Sequence, residues 1–175
     1  MKHIFYLLTA TLVLIGGQPV AFDKNSERNW LTPIHYTDLF NLEDAEKILG
    51  ERAHLTDSVR KNKNNVWTYN CAYTANLPDS KSGKTGTVYF MIEDYSEIES
   101  AKKTYASIME SNKKNGITML DDLGDEAYFH TDKQNFYFIL VRKGERMFRM
   151  KVNKITSTTS LDEFNKVARK ITAAL

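Results

Sequence analysis

The chain has 175 residues, 42% hydrophobic and 26% charged, with 24 Lys and Arg against 22 Asp and Glu for a formal net charge of +2. That near-balance excludes the broad cationic surface of a nucleic-acid-binding protein and strong general attraction to an anionic membrane. A single cysteine, Cys71, excludes the disulfide framework of many small secreted domains. An apolar core has to hold the chain instead, and nine Tyr and nine Phe supply much of it.

Met1–Ala21 reads as an export signal. Lys2 and His3 precede an apolar run from Ile4 to Ile15, shorter than the ~20 residues of a membrane-spanning helix and followed by the small-residue exit of a processed leader. Cleavage is expected after Ala21, although Pro19 stands where a small residue is favoured; Gly17 is a rival site and an uncleaved anchor the alternative. No cysteine follows the leader, so no lipid anchor and no stable membrane attachment are expected after cleavage. The destination is periplasmic or secreted. Residues 22–36, polar around Lys24–Asn29, read as a flexible lead-in. Residues 37–175 are expected to form a single α+β domain.

In chain order, Leu42, Ala45, Ile48 and Leu49 share one side of a helix that Asn41 can cap and Gly50 can end in a left-handed conformation. Residues 51–65 show no period, and Arg60–Asn65 reads as solvated loop. From Val66 the period becomes two. Trp67, Tyr69, Cys71 and Tyr73 fall on one strand face, and Val88, Phe90 and Ile92 on that of a second strand, Thr87–Ile92, after a turn-rich link from Asn76 to Gly86. A helix over 95–113 follows, with Ile98, Ala101, Tyr105, Ile108 and Met109 as its apolar stripe and Gly116 behind its end. Asp94 with Glu97, or Ser96 with Glu99, has capping-box spacing. Glu126–His130, Asn135–Arg142 and Glu145–Val152 read as three strands, the last two linked through Lys143–Gly144. Both faces of Asn135–Arg142 are apolar, which marks a strand covered on both sides or holding a ligand on one. Ser160 and Glu163 then open a final helix with Leu161, Phe164, Ala168, Ile171 and Leu175 buried. The expected order is helix, two strands, helix, three strands, helix: an α+β fold with an antiparallel sheet and packed helices.

Leu42–Gly50, Tyr69–Asn70–Cys71–Ala72–Tyr73, Asp122–Tyr128 and the hairpin around Lys143–Gly144 resemble exported bacterial proteins of the DUF3558 and mycobacterial-lipoprotein type, which are grouped with the Mog1/PsbP-like fold. The resemblance implies an αβα sandwich and an accessory or interaction role. The chain departs from that pattern in lacking a lipid-bearing cysteine behind the leader and a second cysteine to pair with Cys71.

Ser82–Gly83–Lys84–Thr85 mimics the end of a phosphate-binding loop, but without the glycine-rich approach or a helix behind it. Asp121, Asp122, Asp125 and Glu126 could crowd oxygens around a cation, yet their spacing is not that of the helix-loop-helix calcium site. The simpler reading makes Gly124 a turn and the acids either solvated or acceptors of backbone N–H bonds that fix the loop before Tyr128, with a salt bridge to Arg142 or Arg146 a further way to satisfy them. Cys71 on an aromatic strand reads as a buried thiol, not a nucleophile. His35, His54 and His130 stand at no metal-ligand spacing, so neither a metal nor another cofactor is expected. Trp67, Tyr69, Asp122, Asp125, Glu126, Tyr128, Arg149 and Lys151 are the candidate ligand or partner surface, with Met147 expected beside Arg149 and Lys151 on an outer sheet face. The reading is an exported, non-enzymatic binding or accessory module of the bacterial envelope. Its expected partner is an envelope or extracellular protein or a small apolar ligand, and no nucleic acid. The alternatives are a hydrolase with its site near His130 and a purely structural envelope component.

Overall fold

The central pairing of the fold joins two strands far apart in the chain, β3 (Thr87–Asp94) and β7 (Arg146–Asn153). Val88 lies opposite Val152, Phe90 opposite Met150 and Ile92 opposite Phe148. The computed structural model describes residues 35–175; the leader Met1–Ala21 and lead-in residues 22–34 lie outside the described residues. From β3 the sheet continues through β2 (Val66–Ala75) to β1 (Ala53–Lys63). From β7 it continues through β6 (Phe136–Lys143) and β5 (Glu126–Thr131) to β4 (Ile117–Met119), giving seven strands, all antiparallel. On one face pack α1 (Tyr36–Leu39), α2 (Leu42–Leu49) and α4 (Leu161–Ala174); on the other lies α3 (Ile98–Asn112). The architecture is the expected α+β one, an antiparallel sheet between helical layers.

The larger core lies under α2 and α4. Phe40 stacks on Phe90 at 5.2 Å, Phe90 meets Phe148 at 6.3 Å, and Phe164, Ile171, Ile48 and Leu49 close the layer with no exposed surface. Tyr69, Cys71 and Tyr73 join this layer from β2, as their alternation predicts. The smaller core holds Ala101 and Tyr105 of α3 against Tyr128, Leu140 and Met147. Strand β6 therefore has apolar cover on both faces, with Ile139 and Val141 toward α4 and Leu140 toward α3.

Helix α2 forms where the sequence places it, and its ends show why. Asn41 accepts from the Asp44 N–H while Asp44 accepts from the Asn41 N–H, both at 3.1 Å, a reciprocal cap. At the other end, the orphan carbonyls of Ile48 and Leu49 accept from the Ser160 N–H and the Thr158 hydroxyl, each at 2.8 Å. Gly50, at φ +70°, permits that approach. Lys170 then reaches Asp44 across 2.6 Å and ties α2 to α4.

Five expectations change. Arg60–Lys63 is not loop but the end of β1, an eleven-residue edge strand exposed at every position after Ala53. Its side chains face water on both sides, so no alternation marks it, and the left-handed Asn64 and Asn65 make a two-residue turn that folds it onto β2. The short β4 adds a further strand to the second half. Tyr36 belongs to α1, not the lead-in, because its ring stacks on Tyr69 at 6.0 Å. Glu97 takes the N-cap of α3 without a side-chain cap bond, since β3 holds the Asp94 carboxylate, which pairs with Arg146 at 3.4 Å. The β6–β7 turn is Gly144–Glu145, one residue later than expected, with Gly144 at φ +60°.

A methyl group at Gly50 would lie 2.2 Å from the Thr158 carbonyl oxygen. Gly50→Ala is therefore expected to cost roughly 2 kcal/mol or more, since left-handed strain and a backbone clash add. Urea unfolding checks this, and a midpoint unchanged from the parent would contradict the account.

Candidate functional site

A sheet face alternates residue by residue, so the strand registers give the face beneath α3 as a grid. One row across it runs Val59, Asn70, Met91, Arg149, Leu140 and Tyr128; the next runs Asp57, Ala72, Tyr89, Lys151, Phe138 and His130. The α3 helix covers Tyr128, Leu140 and Met147, whereas among the described residues no helix covers the part over β1, β2 and β3. In that open sector Tyr89 is 45% and Val59 44% exposed, with Met91 half-buried beside Tyr89 on β3 and Asn70 between Met91 and Val59.

Charge frames this sector. Arg149 pairs with Glu93 at 2.5 Å, and Lys151 sits 5.7 Å from the centre of the Phe136 ring, onto whose edge His130 packs at 4.9 Å. Thr74 hydrogen-bonds both Thr56 and Thr87, at 3.3 and 3.1 Å, forming a hydroxyl ladder along the sector's end. Arg149 and Lys151 thus belong to one surface, as their spacing along the strand suggests. Met147 shares their face but is fully covered by α3, a correction to the expected outer strip.

The other sequence candidates do not converge there. Tyr69 and Tyr128 are core residues, the latter wholly buried with its hydroxyl accepting from Asn112 at 3.2 Å. Trp67 lies on the opposite face, where the Arg60 guanidinium stacks over it at 4.9 Å and over Tyr36 at 5.5 Å. Asp122 pairs with Arg169 of α4 at 2.8 Å.

Asp125 and Glu126 serve Arg142, whose side chain is only 5% exposed. Its guanidinium donates to Glu126 at 2.5 Å, to Asp125 at 2.9 Å and to the Gly144 carbonyl at 2.9 Å, while the Gly144 N–H donates to Asp125. These two acids therefore fix the loop, one of the alternatives in the simpler sequence reading. Among the described residues, no group of three His, Cys, Asp or Glu side chains is placed to hold a metal ion.

Reactive groups stand apart. Cys71 faces the α2–α4 core and His130 the α3 side, so the sheet itself lies between them. Burial pushes the Cys71 thiol up to about 11. His54 shares a 2.7 Å hydrogen bond with Asn76 at the surface, and His35 stands at the N-cap position of α1 without a side-chain cap bond. The Ser82–Thr85 string is a tight loop before β3: Asp79 accepts from the Ser82 N–H and hydroxyl and from Ser157.

Tyr89 and Met91 were not among the candidates from sequence. They alternate with Val88, Phe90 and Ile92, so the period that marks β3 carried them; what it did not carry was which half of the second face a helix would leave open. Among the described residues no helix is long and apolar enough to cross a membrane. No family model, curated protein or solved structure matches the chain.

Two solution properties follow. Because Cys71 is 2% exposed and its thiol is disfavoured as thiolate, a disulfide-exchange reagent is expected to label it only as fast as the protein opens. Immediate stoichiometric labelling of native protein at pH 8 would contradict the placement. Three carboxyls lie below their ordinary 3.8: Asp79 through Ser157 and Ser82, Asp125 through the Gly144 N–H and then Arg142, and Asp132 through Asn135. Each favours the fold when ionised, so that contribution is complete above the ordinary value and disappears as pH falls through the lowered ones. Urea midpoints are expected to decline below about pH 4, and Asp79→Asn is expected to shrink the decline. An identical acid limb in that variant would exclude Asp79 from the effect.

Proposed function

We propose that the protein is an exported binding module that docks a protein partner of the bacterial envelope or extracellular space on the open sector of its sheet. The observation that carries this reading is the sector itself: Tyr89 and Met91 lie side by side on β3, with exposed Val59 on the edge strand beyond Asn70, and Asp57, Arg149, Glu93 and Lys151 around them. An exposed aromatic on an ordered sheet loses little conformational freedom on contact, and charges at the rim set orientation. Lys151 on β7 and Lys61 on the edge strand β1, at opposite corners of the sector, favour a partner surface with acidic residues around an apolar centre.

The leader Met1–Ala21 supports export, to the periplasm or outside the cell. The likeness of Leu42–Gly50 and Asp122–Tyr128 to DUF3558-type exported proteins of the Mog1/PsbP-like fold belongs to the same proposal, and an α+β sheet between helical layers is compatible with it.

The test is affinity capture from the native envelope with the parent protein and with Tyr89→Ala, followed by affinity measurement on the recovered partner. Removing a central aromatic is expected to weaken binding roughly 30-fold, with an unchanged urea midpoint because the ring is nearly half exposed. Equal capture by both proteins would overturn the assignment of the sector.

A further inference from the structure

We propose that β1 is a self-complementary edge through which two copies of the chain join their sheets. Among the described residues the strand is the outermost of its side, eleven residues long and exposed beyond Ala53, so one row of its backbone N–H and C=O groups has no described strand beside it. A break in register between Leu55 and Asp57 bends its beginning, which leaves Asp57–Lys63 as the regular stretch.

Symmetry then limits the pairing. Two antiparallel copies of one edge are related by a two-fold axis normal to the sheet. That operation keeps each face on its own side, so residues that oppose across the axis are separated by an even number along the strand. Centred on Val59, the pairing places Val59 against Val59, Asp57 against Lys61 twice and Ser58 against Arg60 twice. Centred on Ser58, it gives Asp57 no cation. Centred on Arg60, it matches Asp57 with Lys63 but sets two guanidinium groups opposite each other. Val59 is the centre that pairs the strand's acid with a base and opposes no like charges.

Neighbouring contacts suit this register. Arg60 is turned back over the Trp67 and Tyr36 rings, away from the axis. Asp57 is held by Asn70 at 3.1 Å, on the same face as Val59 and Lys61. Arg60, Lys61 and Lys63 are residues of the kind that keep an edge from pairing indiscriminately; here Asp57 makes one register acceptable and leaves others repulsive.

The experiment uses sedimentation velocity over a concentration series on the purified chain, with circular dichroism to confirm folding of each variant. The parent is expected to shift from one copy to two as concentration rises. Asp57→Lys alone and Lys61→Asp alone each place like charges opposite twice and are expected to weaken association roughly tenfold. Mixing these two variants in equal amounts opposes lysine to aspartate at both positions, so dimers are expected to return as mixed pairs. The double variant Asp57→Lys with Lys61→Asp restores them in a single chain. A parent that stays monomeric throughout, or single variants that the mixture does not rescue, overturns the proposal. Tyr89 lies two strands inward, so its binding test reads independently of this one.

Discussion

Width is the constraint on which this architecture depends. Seven strands at about 4.8 Å spacing make a sheet nearly 30 Å across, while a helix with its side chains is roughly 10–12 Å wide. One face is covered by two helices, the eight-residue α2 and the fourteen-residue α4, over the aromatic layer of Phe40, Phe90, Phe148 and Phe164. Among the described residues the other face receives α3 alone. Its side chains reach Tyr128, Leu140 and Met147, and the sheet beyond carries exposed residues such as Tyr89 and Val59. The composition of the two halves follows: Leu140 and Met147 lie under the helix, while Thr74, Thr87 and Asn70 occupy the open side and satisfy one another or their neighbours.

Polar groups at the ends of the sheet do a different task from those on the open face. Arg142 is buried, and an unpaired guanidinium there would carry a large desolvation cost. Asp125 and Glu126 supply the counter-charge and stay partly in water, so neither is itself deeply desolvated. The same contacts hold the loop after β4 against the β6–β7 turn. Gly124 takes φ +67° beside the Arg142 carbonyl, where a Cβ would stand 2.6 Å away. At the opposite end Asp79 joins the β2–β3 loop to Ser157 and hence to the residues that receive the end of α2. Loops that look polar and featureless in sequence are thus the fasteners of the fold.

What was legible in the sequence was whatever a buried face imposes. Helices α2 and α4 have one wet and one dry side, and their caps and most of their stripes could be read, but the first residue of each stripe, Leu42 and Leu161, is exposed. Strand β2 announced itself through Tyr69, Cys71 and Tyr73. Strand β1 did not, because alternation records unequal burial and β1 has water on both faces; its conformation is imposed by β2 through backbone pairing. Strand β4 is three residues long, too short for a period. Asp125 and Glu126 take the loop-fixing role that was one of the sequence's alternatives, with Arg142 as their partner, whereas Asp122 is exposed and pairs with Arg169 of α4, which the sequence did not indicate. Tyr128 was misplaced as a surface residue for an instructive reason: its alternation is correct, but whether its face is wet depends on α3, which comes from a distant part of the chain.

The open sector also explains why the two candidate nucleophilic or basic groups cannot cooperate. A pleated strand sends neighbouring residues to opposite faces, and the backbone between them is fully engaged in the sheet ladder. Cys71 lies in the layer under α2 and α4, while His130 points to the face that α3 partly covers. Bringing them together would require breaking strands in both halves of the sheet, including those beside the central β3–β7 pair. The sheet holds these two groups on opposite faces and presents Tyr89, Met91 and Val59 on the α3 face, which is the ground of the proposed reading of that sector as a recognition surface. Recognition needs area held still; proton transfer needs groups within hydrogen-bond reach of one another.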